Sequence, residues 1–214
     1  MKASIVTFDE FTDIDVFLMW DLLKRVRIPD WEILIIGEKS HHTSTNGLTI
    51  PTHGGLKEAN SSDVVLFASG PGTRKKYLDP SFLKAFDLRP EKQMIGSMCS
   101  GALILAAIGL LKGNDATTYP TAKGLLESLG VNVVERPFVR QGNIATAAGC
   151  LAAQYLIGWV IEEKVGFSMK ETVLKSIQPV GEGLNFMDTN IVEKMYSKTS
   201  NTSGTDTNVS AWRN

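Results

Sequence analysis

Apolar residues fall into short continuous runs, which alternate with longer stretches where they recur at helical spacing. Short runs without polar alternation are typical of strands covered on both faces, and spaced runs are typical of helices with one buried face. The predicted strands are 3–8, 31–37, 63–68, 94–98, 116–118, 131–134 and 139–146, the last with a turn at 141–143. The predicted helices are 14–26, 102–111, 122–129, 147–164 and 169–177. This alternation predicts an α/β fold with a mainly parallel sheet and helices on both faces.

The stretch 93–112 combines one buried strand with one apolar helix, joined at Cys99. Small residues on both sides of Cys99, including Gly96 and Gly101, suit a tight strand-to-helix turn. Such a turn holds one side chain out beside the free N–H groups and positive dipole end of the helix. We therefore expect a nucleophilic thiol with a lowered pKa at Cys99, and an amide at Ser100 that stabilises negative charge. The alternative is that Cys99 packs as a small buried hydrophobe.

The run from Ser97 to Leu111, SMCSGALILAAIGLL, is followed by Gly113 and by Ala-Thr-Thr at 116–118. This block resembles the nucleophile elbow of the ThiJ/PfpI superfamily, in the branch of isocyanide hydratase and the amidase-like domains fused to AraC-type regulators. The resemblance extends from about Ser4 to about Val180. It implies a flavodoxin-like three-layer sandwich with a cysteine nucleophile elbow, and a homodimer.

The helix 14–26 begins near two acids, Asp13 and Asp15. Acids at this end of a helix commonly complement its dipole. In the resembling family, however, an acid from the loop after the first strand shares a hydrogen bond with the cysteine. When Phe8 and Ile14 are matched to the family's first-strand and helix-start pattern, that acid corresponds to Asp15. The resemblance therefore implies that Asp15 is a catalytic general acid.

The third predicted strand ends in the loop Ser69-Gly70-Pro71-Gly72. Taken alone, this loop is a turn. In the family it crosses over the elbow, and the amide matching Gly70 completes an oxyanion hole with the amide of Ser100. Relatives usually carry Pro-Gly-Gly here, and Pro71 has no N–H to donate, so Gly70 is the only candidate donor. The basic residues at 74–76 are predicted to form a solvated helix face.

Similarity to isocyanide hydratase implies that Cys99 attacks an isocyanide, with Asp15 moving protons and the Ser100 hydroxyl assisting. The product is an N-substituted formamide, which makes the chain a lyase. Two alternatives stay open: a glyoxalase-like or deglycase-like activity on aldehydes that uses Cys99 and Asp15, and a non-enzymatic redox sensor or stress protein. None of these needs a metal or cofactor.

The three histidines, His41, His42 and His53, lie in a polar, turn-rich region and are predicted to be exposed surface residues. Hydrolysis of a stable amide by a thiol needs an adjacent base, which is a histidine in protease and glutaminase relatives. Here Ser100 follows the cysteine, and Tyr119 stands where several relatives have a histidine. The sequence therefore disfavours a protease or a glutamine amidotransferase.

With 214 residues and 43% hydrophobic content, the chain fits a single domain over 1–196, followed by a flexible polar tail over 197–214. A net charge of −1 does not indicate electrostatic binding to nucleic acid or to an anionic membrane. We find no leader segment and no apolar run of about 18 residues, so we expect a cytoplasmic protein with a small-molecule substrate.

Cys99 and Cys150 are the two cysteines, and their spacing predicts neither a disulfide framework nor a zinc site. Cys150 is predicted to be a structural thiol near the core.

Overall fold

A computed structural model describes residues 1–181 of the chain. Its strands are β1 (Lys2–Val6), β2 (Glu32–Gly37), β3 (His41–Thr43), β4 (Thr49–Pro51), β5 (Gly54–Gly55), β6 (Val64–Phe67), β7 (Met94–Met98), β8 (Asp115–Ala116), β9 (Asn132–Val133), β10 (Phe138–Gln141) and β11 (Ile144–Ala147). Its α-helices are α1 (Asp13–Lys24), α2 (Thr73–Lys76), α3 (Pro80–Leu83), α4 (Ala102–Ala107), α5 (Lys123–Ser128), α6 (Ala153–Lys164) and α7 (Phe167–Lys175). Short 3₁₀ helices span Leu56–Ser61, Cys99–Gly101, Pro120–Ala122 and Cys150–Ala152.

Seven strands form the central sheet in the order β10-β11-β7-β6-β1-β2-β5. All neighbours in this sheet pair in parallel except β10 and β11, which form an antiparallel hairpin. The strands β3 and β4 form one separate pair, and β8 and β9 form another. The mainly parallel α/β sheet predicted from the sequence is confirmed.

Two apolar layers cover the two faces of the sheet. Ile5 of β1 packs in one layer with buried residues of α1, α6 and α7, whereas Val6 packs in the other layer with residues of α4 and α5. Successive side chains of a strand point to opposite faces of the sheet, so one strand contributes side chains to both layers. This arrangement is the three-layer sandwich that the resemblance implied.

The turn predicted at 141–143 is confirmed, since β10 and β11 form a hairpin in which Gly142 has φ +59°. Two predicted helix boundaries differ clearly from the structure. The helix predicted over 102–111 ends at Ala107, and Gly109 then has φ +84°. The helix predicted from residue 147 begins with the 3₁₀ helix Cys150–Ala152, after Gly149 with φ +88°. A glycine with positive φ lies at each of these points, a conformation that glycine adopts without steric strain.

The carboxyl ends of β1, β6, β7 and β11 meet at one edge of the sheet. Phe67 of β6 pairs with Ser97 of β7, and Ala147 of β11 pairs with Met98. Loops that leave these four strands therefore converge, as ligand sites of parallel sheets require. The predicted tail 197–214 lies outside the described residues. Among residues 1–181, none of the helices has the length and apolar character needed to cross a membrane.

Candidate active site

Cys99 occupies a sharp turn between β7 and the helical segment that follows it. Its φ is +45°, in the left-handed region that residues other than glycine rarely adopt. Gly101 allows a close approach to the preceding loop, because a Cβ there would lie 2.7 Å from the Ala68 carbonyl oxygen. On the other side, the Thr118 hydroxyl donates a 2.9 Å hydrogen bond to the Cys99 carbonyl oxygen. Contacts on both sides hold the turn in its unusual conformation.

The converging loops enclose a cavity of about 320 Å³. It is lined by Thr12, Asp15, Ser69, Gly70, Pro71, Arg74, Cys99, Ser100, Tyr119, Thr121 and Cys150. All four residues that the sequence marked as a site, Cys99, Asp15, Ser100 and Gly70, lie in this lining. The structure thus brings them together, and their chemical roles stay predictions.

Asp15 is fully buried at the start of α1. The Ser69 hydroxyl donates a hydrogen bond to its Oδ2, whereas its Oδ1 has no hydrogen-bond partner within residues 1–181. Asp13 differs, since its carboxylate accepts a 2.7 Å hydrogen bond from the Asn46 side chain and does not line the cavity. A buried carboxylate oxygen without a partner is costly, which is typical of a group kept for chemistry.

The Cys99 sulfur, the Cys150 sulfur and a carboxylate oxygen of Asp15 all lie within 4.8 Å of one another. The neighbouring Cys150 thiol, the burial of Cys99 and the negative charge of Asp15 together raise the pKa of Cys99 above its ordinary value. The lowered pKa expected from the sequence is therefore wrong for the resting site. Two thiols and a carboxylate are also ligand types that zinc accepts. The expectation of a metal-free site thus rests on the sequence alone.

Gly70 and Ser100 form one wall of the cavity. Gly70 has φ +148°, and a Cβ there would lie 2.2 Å from the Glu10 carbonyl oxygen, so a larger residue does not fit. The Gly70 nitrogen lies 3.5 Å from the Ser100 hydroxyl oxygen, and that hydroxyl also contacts the Thr73 hydroxyl at 3.2 Å. An amide donor and an adaptable hydroxyl are thereby placed beside the cysteine.

Arg74 is a cavity residue that the sequence reasoning missed. Its guanidinium donates to the Thr121 hydroxyl at 2.9 Å and to the Thr121 carbonyl at 3.3 Å, and the ion pairs found among residues 1–181 do not include it. The predicted solvated face fits Lys75, which is exposed and pairs with Glu10. The placement of Arg74 in the cavity depends on how α2 packs, for which a run of three basic residues gives no signal.

Cys150 and Ser69 were also missed. Cys150 reaches the cavity because β11 pairs in parallel with β7, a contact between distant parts of the chain. Ser69 was interpreted only as a departure from the usual Pro-Gly-Gly loop, although its hydroxyl binds Asp15. A signal was available for Ser69, since a hydroxyl stands where relatives carry a proline, in the loop that the resemblance placed across the elbow.

None of the three histidines lines the described cavity. His42 is 1% exposed, and its Nδ1 lies 2.9 Å from a carboxylate oxygen of Asp9, so the predicted surface position is wrong for this residue. His41 and His53 are exposed, and the ring of His53 stacks on Trp20. Tyr119 lines the cavity, whereas Trp20 does not.

The site can be compared with known proteins. The chain is 26% identical to an isonitrile hydratase of Pseudomonas putida over 175 residues, which make up 81% of this chain and 76% of that protein. It is 25% identical over 191 residues to the glutathione-independent glyoxalase DJ-1 of Schizosaccharomyces pombe, covering 83% of this chain and 98% of that protein. A ThiJ/PfpI family protein from Pseudomonas syringae shares the fold, with a TM-score of 0.75, 22% identity and coverage of 93% and 86%. A profile of the DJ-1/PfpI family matches residues 1–163, and the chain belongs to that family.

Proposed function

We propose that this chain is a cysteine-dependent enzyme that adds water to a small electrophile, converting an isocyanide to an N-substituted formamide. Cys99 is the nucleophile and Asp15 is the general acid and base. The observation that carries the proposal is the buried Asp15 carboxyl beside the Cys99 thiol in one small cavity. The similarity to an isonitrile hydratase supports the choice of substrate.

The raised pKa of Cys99 suits addition to an isocyanide, whose terminal carbon must gain both a sulfur and a proton. In the first step, Asp15 takes the thiol proton as the Cys99 sulfur bonds to that carbon. Asp15 then delivers the proton to the same carbon, which gives a thioimidate, Cys–S–CH=N–R. The carboxylate lies within 4.8 Å of the sulfur. It performs both transfers by closer approach or through one water.

In the second step, water adds to the thioimidate carbon. One water proton passes through Asp15 to the nitrogen, and the remaining OH stays on the carbon. The C–S bond then breaks, the hydroxyl proton returns to the sulfur, and R–NH–CHO leaves. The Gly70 amide and the Ser100 hydroxyl stabilise the charge that develops as the tetrahedral adduct forms and collapses.

A glyoxalase-like or deglycase-like activity is the second candidate. The thiol would add to an aldehyde carbon as a hemithioacetal, with Asp15 again moving protons. Two observations favour this candidate: the similarity to a glutathione-independent glyoxalase, and the Arg74 guanidinium, which suits an oxygen-rich substrate.

The test is turnover of the purified full chain with a simple alkyl isocyanide and, separately, with methylglyoxal. Formamide or lactate is quantified by mass spectrometry for wild type, Cys99→Ala, Asp15→Asn and the remote control Ser128→Ala. Formamide that forms with wild type and Ser128→Ala but not with Cys99→Ala supports the hydratase. Lactate alone, with the same dependence, favours the glyoxalase. If neither assay yields a product, both proposed activities are contradicted. The non-enzymatic redox sensor is then the remaining alternative.

A further inference from the structure

The two cysteines of the chain meet in the candidate active site. Met98 and Ala147 are paired across β7 and β11. Cys99 directly follows the first of these residues, and Cys150 lies three positions after the second. Both thiols line the cavity, and their sulfurs are within 4.8 Å of each other. The catalytic scheme above uses Cys99 and leaves Cys150 without a role.

We propose that Cys99 and Cys150 form a reversible intramolecular disulfide when hydrogen peroxide enters the cavity. Cys150 is then a resolving thiol, and the cavity is a site of controlled oxidation. The inference does not depend on which electrophile the enzyme turns over.

The chemistry balances with hydrogen peroxide as oxidant. Asp15 takes the Cys99 thiol proton, the Cys99 sulfur attacks one peroxide oxygen, an S–O bond forms and the O–O bond breaks. The departing hydroxide takes up that proton and leaves as water. The Cys150 sulfur then attacks the Cys99 sulfenic acid, which forms the S–S bond and expels hydroxide. Hydroxide takes the Cys150 proton and leaves as a second water. The peroxide is reduced and the two thiols are oxidised.

Asp15 has a place in this sequence. Its carboxylate lies within 4.8 Å of both sulfurs, so it can accept the Cys150 proton before the sulfur attacks and pass it to the leaving oxygen. A thiolate, rather than a thiol, is the attacking species in disulfide formation. The same carboxylate therefore serves proton transfer in the proposed hydration and in the oxidation.

The turn that carries Cys150 is open on the side of its two neighbours in the chain. A disulfide needs an S–S length of about 2.05 Å, so the sulfurs must move closer than they lie at rest. Gly149 precedes Cys150 with φ +88°, and apart from its two chain neighbours no described residue has an atom within 4 Å of the position where its Cβ would be. Leu151, the next residue, is 66% exposed. A small shift of this turn meets no packed neighbour at Gly149.

The test treats the full chain with one equivalent of hydrogen peroxide and measures the intact mass. Wild type should lose two hydrogens, and dithiothreitol should restore them. Peptide mapping should link the peptide of Cys99 to that of Cys150 within one chain. Leu151→Ala, which alters the same turn and keeps both thiols, should behave as wild type.

Cys150→Ala should instead gain oxygen on Cys99, with a several-fold larger fraction of sulfinic acid that dithiothreitol does not reduce. The inference is overturned if wild type gains oxygen on Cys99 as readily as Cys150→Ala does, or if the disulfide joins two chains. Should Cys150→Ala fail to fold, judged by circular dichroism, the wild-type peptide map decides alone. Turnover is not a readout, so this result and that for the proposed function are independent.

Discussion

The Ser69 hydroxyl donates a hydrogen bond to Oδ2 of the buried Asp15 carboxylate, while Oδ1 has no partner in the described part of the chain. Ser69 thus fixes one oxygen of the carboxylate and leaves the other for the cavity. This arrangement orients the group that the proposed mechanism uses for every proton transfer. The first prediction concerns this pair.

Ser69→Ala should lower the free energy of unfolding by about 1–3 kcal/mol, because the buried carboxylate loses its hydrogen-bond donor. It should also reduce kcat more than it raises KM, since Asp15 loses its orientation but the cavity keeps its shape. Urea denaturation and steady-state kinetics check the two effects. Ser128→Ala, an exposed hydroxyl on α5, should change neither. Equal effects of the two substitutions would show that Ser69 does not position Asp15.

The second prediction concerns the pH dependence of Cys99 alkylation. The Cys150 thiol, burial and the Asp15 charge each raise the pKa of Cys99, so removing the first or the third should lower it. At a fixed pH below that pKa, the thiolate fraction then increases. Alkylation of Cys99 should therefore speed up by about tenfold or more in Cys150→Ala, and also in Asp15→Asn.

Iodoacetamide labelling across a pH series, followed by peptide mass spectrometry, measures this rate at Cys99 alone. Leu151→Ala is the control for altered access from the same turn. Slower labelling in both Cys150→Ala and Asp15→Asn would mean that these groups stabilise the thiolate rather than the thiol.

Gly70→Ala is the third prediction. A Cβ at this position would lie 2.2 Å from the Glu10 carbonyl oxygen, and φ is +148°. Backbone strain alone costs about 1–3 kcal/mol, and relief of the clash must displace the amide that faces Ser100. We expect a lower melting temperature together with loss of turnover. Gly124→Ala, inside α5 with open space around the added Cβ, should instead be neutral or stabilising by about 0.5–1 kcal/mol.

The fourth prediction concerns substrate charge at the cavity. Arg74 lines the cavity and hydrogen-bonds to the neutral Thr121, so its guanidinium is available to a carboxylate. Arg74→Met should lower kcat/KM for a carboxylate-bearing substrate by about tenfold relative to the matching methyl ester. Isocyanoacetate and methyl isocyanoacetate form such a pair.

Lys75→Met is the matched control, because Lys75 adjoins Arg74, pairs with Glu10 and does not line the cavity. It should leave the ratio of the two kcat/KM values unchanged. An unchanged ratio in Arg74→Met as well would assign Arg74 a purely structural role with Thr121.

Much of the fold and part of the candidate site could be predicted from local patterns in the sequence. The apolar run before Cys99 predicts a buried strand, and the small residues after it predict the turn, because both follow from neighbouring residues. Asp15 and Gly70 came from a family resemblance, and the structure brings both to the cavity. Each of these positions follows a strand end that the sequence itself reveals.

Features that depend on distant contacts were not accessible in the same way. Cys150 reaches Cys99 through the pairing of β11 with β7, and no local pattern reports which strands pair. The raised pKa of Cys99 has the same origin, since its largest cause is the Cys150 thiol. The burial of His42 likewise depends on Asp9, 33 residues earlier, which its ring contacts.

The chemistry of the cavity is divided among loops that follow different strands. Cys99 follows β7, Asp15 lies beyond β1, Gly70 follows β6 and Cys150 follows β11. The sheet that orders these loops contributes none of the reacting groups. A change in one of these segments can therefore alter what the protein reacts with while the strand order of the sheet is kept. Cys99 and Asp15 are themselves buried, so such a change also acts on stability, and reactivity and stability are coupled at this edge of the sheet.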